Sequence, residues 1–135
     1  MNYKTVLTTC PYCGCGCGMY LPILNGRLGR PIPARTHPLS EGRLCIKGWA
    51  AHEHVTSQDR LTQPLVKDGD GFKEVTWDEA LDLVASRLTM IRDQHGPDSL
   101  ALLSSAKCTN EENYLLQKFA RAVIGTNNVD HCARL

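Results

Sequence analysis

Four of the seven cysteines stand where one inorganic centre could gather them. Cys10, Cys13 and Cys17 form a C-x2-C-x3-C run inside Cys10-Pro11-Tyr12-Cys13-Gly14-Cys15-Gly16-Cys17-Gly18, and Cys45 follows at a distance in Arg43-Leu44-Cys45-Ile46-Lys47-Gly48. Three near ligands and one remote one is a spacing that holds a [4Fe–4S] cube. Zinc and a disulfide stay open as alternatives. A zinc site more often shows two separated Cys-x2-Cys pairs or a Cys/His mixture, and the second pair is missing here. Cys15 is surplus to the count; the x2-then-x3 spacing favours Cys17 as the third ligand and leaves Cys15 a bystander or its substitute. The glycines between the cysteines let backbone N–H groups turn inward toward sulfur.

The elements that must present these ligands can be read from the flanking residues. Asn2 to Thr8 is expected to be a short strand delivering the loop. Asn25-Gly26 between apolar stretches is a hairpin signal, since both central residues of a type I′ turn need positive φ. Pro22 and Pro31 are expected to confine the hairpin strands to sheet edges. Pro33 to Gly42 reads as a loop returning to Cys45, and Trp49 to Gln58 as a short helix. His52 and His54, two apart, cannot share a helix face and read as ordinary histidines.

Residues 60–75 read as a linker and small hairpin turning at Asp68-Gly69-Asp70-Gly71; this turn lacks the ligand spacing of a calcium loop. Thr76 and Glu79 form a capping box, and Ala80, Leu81, Val84, Ala85, Leu88 and Ile91 follow at helical spacing as an expected inner face, ended by Gly96-Pro97. Ser99 to Ser104 is expected to be a strand buried on both faces of a parallel sheet. A second helix begins near Thr109 or Asn110, with Tyr114, Leu115, Phe119, Ala122 and Val123 inward, and stops at Gly125. Cys108 receives no role. The fold class is mixed α/β: a small β-rich cluster domain over 1–59, the linker hairpin over 60–75, and the first helix-strand-helix part of an α/β domain over 76–135.

The same motifs carry a family resemblance. Cys10-Pro11-Tyr12-Cys13-x3-Cys17, Cys45-x-Lys47-Gly48, Thr76-Trp77-Asp78-Glu79-Ala80 and Asn127-Asn128-Val129-Asp130-x-Cys132-Ala133-Arg134 resemble the N-terminus of the molybdenum/tungsten bis-pterin oxidoreductases, and within them the catalytic subunit of formate dehydrogenase. Nitrate reductase is a sibling alternative, and a stand-alone iron–sulfur electron carrier or a zinc-stabilised interaction module is an alternative of another class. The resemblance implies a [4Fe–4S] cluster on Cys10, Cys13, Cys17 and Cys45, and a molybdenum or tungsten centre held by two molybdopterin guanine dinucleotides. It implies formate oxidation to carbon dioxide, with electrons passing by Lys47, which would lie between pterin and cluster, to an iron–sulfur or flavin subunit. Arg134 is implied as a cofactor or substrate contact, and the segment 104–110 as a neighbour of the pterin. The family carries a small residue where Cys15 stands.

The resemblance also implies that the metal's own selenocysteine or cysteine ligand comes directly after Leu135, followed by a catalytic His. No catalytic residue is therefore expected within the chain, His131 and Cys132 included, and the chain alone is expected to be inactive. A selenocysteine codon read as a stop is one expected origin of this end point. The 135 residues carry a net charge near +1 with 42% hydrophobic residues, which gives no hint of nucleic acid or an anionic membrane as partner. No apolar run approaches a membrane span, and the nine residues before Cys10 leave no room for a leader, so reduced thiols in the cytoplasm are expected.

Overall fold

The computed structural model describes residues 1–132. The chain forms two compact units that do not follow sequence order: one comprises Met1–Arg60, Ser104–Leu115 and the segment beginning at His131, and the other Leu61–Leu103 and Leu116–Asp130.

In the first unit β1 (Tyr3–Thr9) and β2 (Gly18–Leu24) pair antiparallel from Tyr3↔Leu24 to Thr9↔Gly18, so the ladder opens directly onto the cysteine loop. β2 then turns through Asn25-Gly26, with φ of 48° and 80°, into β3 (Arg27–Leu28). This is the positive-φ pair that the Asn-Gly signal demands. β4 (Ile32–Pro33) also pairs with β2, so β2 is the centre of a four-stranded sheet.

Pro22 thus lies in the central strand, against the expectation of an edge. The reason is local: its carbonyl accepts from the Gly29 N–H at 2.8 Å, on the side where the partner passes from β3 to β4, and a missing N–H breaks no ladder there. The expected helix from Trp49 is likewise corrected to two short pieces, α1 (Ile46–Trp49) and α2 (Glu53–Thr56), the first beginning immediately after Cys45. The core of this unit is Cys10, Met19 and Ala51, with Tyr12, Cys17, Leu21 and Leu44 packed on it.

The second unit begins with the hairpin β5 (Leu65–Asp68) and β6 (Gly71–Glu74), turning at Gly69-Asp70 as expected. Helix α3 (Trp77–His95) starts at the Thr76 capping box: the Glu79 carboxylate accepts from the Thr76 N–H at 2.8 Å, and the Thr76 hydroxyl accepts from the Glu79 N–H at 3.3 Å. Gly96, at φ 83°, ends it. β7 (Leu102–Ser105) pairs with β8 (Val129–Cys132) in a two-stranded sheet. Helix α4 (Asn110–Phe119) closes with a π-helical turn, Ala120–Ile124, and stops at Gly125, φ 90°. The chain divides between the two units within β7, α4 and β8.

Three burial expectations fail here, the first being the inward face of α4 and its closing turn, where Tyr114, Leu115 and Val123 are exposed. Leu103 is 81% exposed, so β7 is not covered on both faces, and no residue of α3 is buried, Val84 being 54% exposed. The helical spacing correctly places an apolar stripe, of which Ala80, Leu88 and Ile91 are only partly covered. What is buried is small: Ala120, Ile124 and Thr126, whose hydroxyl donates to Asp98 at 2.7 Å.

Two outcomes follow for stability. A Cβ at Gly26 would meet nothing within 4 Å, so Gly26→Ala isolates the positive φ and should cost about 1 kcal/mol, read as a lower urea midpoint. The Thr76 N–H holds the Glu79 carboxyl below its ordinary value. Its stabilising contribution is therefore present above the unfolded-state value and is lost as pH falls through the depressed folded value. Glu79→Gln should flatten this acid-side loss in a thermal-midpoint titration; an unchanged slope would remove Glu79 from the account.

Candidate metal centre

The cysteine loop is closed by backbone before any metal is considered. The Cys10 N–H donates to the Cys17 carbonyl at 2.8 Å, which makes residues 10–17 a ring at the end of the β1–β2 ladder. Cys13 (φ 50°) and Gly16 (φ 60°) both take positive φ, which bends the chain around the ring's interior. At Cys13 this conformation is costly for a side chain and needs external support. It receives that support from the Lys107 carbonyl, which accepts the Cys13 N–H at 2.9 Å.

The loop over 33–42 braces the other end. Gly18 is held on both sides: its N–H donates to the Ser40 hydroxyl at 3.2 Å, and its carbonyl accepts from Ala34 N–H at 3.0 Å. His37 Nδ1 lies 3.2 Å from the same hydroxyl, and a Cβ at Gly18 would strike the His37 ring. Gly18 is thus required by close approach. Leu44 uses Gly48 similarly, since a Cβ there would lie 3.1 Å from Leu44 Cδ2.

All four predicted ligands belong to this one unit and sense one another. Burial pushes the Cys10 thiol up first, and the charges of Cys17, Cys45 and Cys13 push it further, while the Tyr12 N–H pulls it down. Cys45 is pulled the other way. The Gly48 N–H is the largest cause, followed by the N–H and the ammonium of Lys47. Cys10 is buried at 4% exposure, Cys13 and Cys17 are half-buried, and Cys45 and Lys47 are exposed. Cys15 is exposed and hydrogen-bonds Cys13, which raises its thiol value.

This donor set fits a thiolate-held iron–sulfur cluster: three thiols in one ring and a fourth at the start of α1, in the same unit. Among the described residues no three Cys, His, Asp or Glu side chains stand at the separations one metal ion requires. The four cysteines are neighbours and not a closed single-ion shell. All seven cysteines are free thiols.

The other sequence candidates separate from this centre. His52 is half-buried with its Nδ1 unpartnered, and His54 sits edge-on to Tyr12 at 6.4 Å between ring centroids. Cys132 lies 3.3 Å from the Ser105 hydroxyl, which with the Ala106 N–H holds its thiol below the ordinary value. Arg134 lies outside the described residues. Sequence reading missed the contribution of residues 107–110. The Asn110 side-chain amide donates to the Gly14 carbonyl at 3.1 Å, a contact across 96 positions that no local pattern signals. The second capping box, Thr109 with Glu112, was by contrast available in the order of residues.

Comparison with known proteins identifies the two halves. Residues 3–57 match the molybdopterin oxidoreductase Fe4S4 domain, and residues 60–135 match molybdopterin oxidoreductase. The chain is 53% identical over 134 residues to F420-dependent formate dehydrogenase 2 subunit alpha of Methanococcus maripaludis, covering 99% of this chain and 19% of that protein. It is 50% identical over 135 residues to F420-dependent formate dehydrogenase subunit alpha of Methanocaldococcus jannaschii, covering 100% of this chain and again 19% of the relative. Acetylene hydratase from Pelobacter acetylenicus shares the fold, with a TM-score of 0.74 at 24% identity over 95% of this chain and 18% of that one. The chain therefore spans about a fifth of the length of these relatives. With the cysteine ring, its remote fourth thiol and both halves matched in order, the chain belongs to the molybdopterin oxidoreductase family.

Proposed function

We propose that this chain is the N-terminal part of a formate dehydrogenase alpha subunit, in which Cys10, Cys13, Cys17 and Cys45 hold a [4Fe–4S] cluster that carries electrons away from the site of formate oxidation. The observation that carries the reading is the match of residues 3–57 to the Fe4S4 domain, in a chain about half identical over its whole length to two formate dehydrogenase alpha subunits. On this reading residues 1–59 are the cluster domain, 60–75 a connecting hairpin and 76–135 the beginning of the pterin-binding domain.

When bound, a molybdenum or tungsten bis-pterin centre supplies the acceptor for the two electrons released as formate becomes carbon dioxide and a proton. On the same reading Arg134 would serve as a contact for the cofactor or the substrate anion. The residues of this chain do the conducting. Cys10 anchors the cluster from the core side, and Cys45 supplies the remote fourth thiolate. Lys47 places a cation next to Cys45, offsetting thiolate charge and favouring the reduced cluster. Electrons pass from the pterin by Lys47 to the cluster, and from the cluster to an iron–sulfur or flavin-bearing partner subunit. Free thiols in this number suit the reducing cytoplasm. Among the described residues no helix is long and apolar enough to cross a membrane.

The ligand assignment is tested by serine variants of the full-length protein purified without oxygen. Cys10, Cys13, Cys17 and Cys45 variants should each lose iron and the broad absorption near roughly 400 nm that marks such clusters, whereas Cys15→Ser should keep both. Iron retained in Cys17→Ser and lost in Cys15→Ser would reassign the third ligand. Lys47→Ala should keep its iron and lose roughly tenfold in formate-dependent dye reduction, the scale typical of groups adjoining a metal's ligands. Unaltered dye reduction in that variant would end its role as relay.

A further inference from the structure

We infer that Asn110 is a positioning residue for the cluster loop, setting the orientation of the Cys13–Cys17 segment, and through it the cluster's potential and its resistance to loss. The inference rests on the reading that the four cysteines hold an iron–sulfur cluster.

The two peptide groups that flank the Cys13–Gly14 peptide, 12–13 and 14–15, are taken by one distant segment. The Cys13 N–H donates to the Lys107 carbonyl at 2.9 Å, and the Asn110 side-chain amide donates to the Gly14 carbonyl at 3.1 Å. Between them these bonds fix the plane that links a predicted ligand to the rest of the ring. Gly14 does not take positive φ, so backbone freedom is not what a glycine provides there. Space is: a Cβ would land on the Asn110 side-chain oxygen. The loop and Asn110 are thus fitted to each other.

The arm that carries Asn110 is itself stiff. Thr109 N–H donates to the Glu112 carboxylate at 2.7 Å, and the Thr109 hydroxyl accepts from Glu112 N–H at 3.2 Å, which fixes the first turn of α4. Lys107 N–H donates to the Ser105 hydroxyl at 3.1 Å, which fixes the segment before it. A cavity of about 70 Å3, lined by Cys10, Cys13, Gly14, Gly16, Thr109 and Asn110, lies where the arm meets the ring. Without the Asn110 amide the Gly14 carbonyl is free to rotate and water can follow into this space. Hydrogen bonding and solvent exposure around the sulfurs set the potential of a cluster, and groups that orient ligands control how firmly the metal is kept.

The test uses full-length protein purified without oxygen, with iron content, midpoint potential from a redox titration followed by EPR, and rate of iron release to a chelator as readouts. Asn110→Ala should retain iron but release it severalfold faster, with a shifted midpoint potential. Thr109→Ala removes the helix cap and spares the amide, so it should stay near wild type in both. Gly14→Ala should release iron fast, and the Gly14→Ala/Asn110→Ala double variant should be no worse than Asn110→Ala, because the clash has been removed. If Asn110→Ala cannot keep iron at all while Thr109→Ala does, the inference stands. Wild-type release and potential in Asn110→Ala would overturn it, and so would a Thr109→Ala variant that behaves like Asn110→Ala, since helix stability would then account for both. Wild-type protein with no iron–sulfur signal would instead overturn the functional reading beneath it.

Discussion

Four thiolates brought to one place repel one another, and most of what surrounds them in this chain answers that repulsion. Cys10 shows the conflict directly: burial and three neighbouring cysteine charges all push its thiol up. The proposed iron–sulfur cluster would resolve it, with the Lys47 cation beside Cys45. The amides that pull the Cys10 and Cys45 thiols down come from sharp changes of direction, at Tyr12 inside the ring and at Lys47 and Gly48 where α1 begins. Such changes need positive φ or glycine-sized gaps, which is why Cys13 and Gly16 are bent and Gly18 and Gly48 are crowded.

The sheet and the returning loop serve the same constraint. The β1–β2 ladder brings residues 9 and 18 together, and the Cys10–Cys17 backbone bond completes the closure. His37, Ser40 and Ala34 then lock Gly18, so the loop over 33–42 is a brace as well as a connection. The apolar stripes of α3 and α4 stand apart from this arrangement. Most of their apolar side chains are exposed among the described residues.

What was legible in the sequence was what is local. Asn25-Gly26, the turn at Gly69, the Thr76 capping box and the stop at Gly125 each depend on a few adjacent residues, and the structure has them as expected. Pro22 was misjudged because its tolerance depends on a break between β3 and β4, which pairing alone reveals. The strand beginning at Leu102 was misplaced toward the core because an apolar run cannot say what will cover it, and Leu103 is bare. The cysteine spacing named the ligand candidates, but not the Lys107 carbonyl or the Asn110 amide that steady them. Those contacts are made by tertiary structure, and no period or cap encodes them.

The most direct test of the central claim is EPR spectroscopy of the dithionite-reduced protein, purified without oxygen, together with its metal content. The account predicts iron at one [4Fe–4S] cube per chain and the rhombic, fast-relaxing signal of a reduced cube at low temperature. A chain that carries zinc in place of iron, with no such signal on reduction, would contradict it.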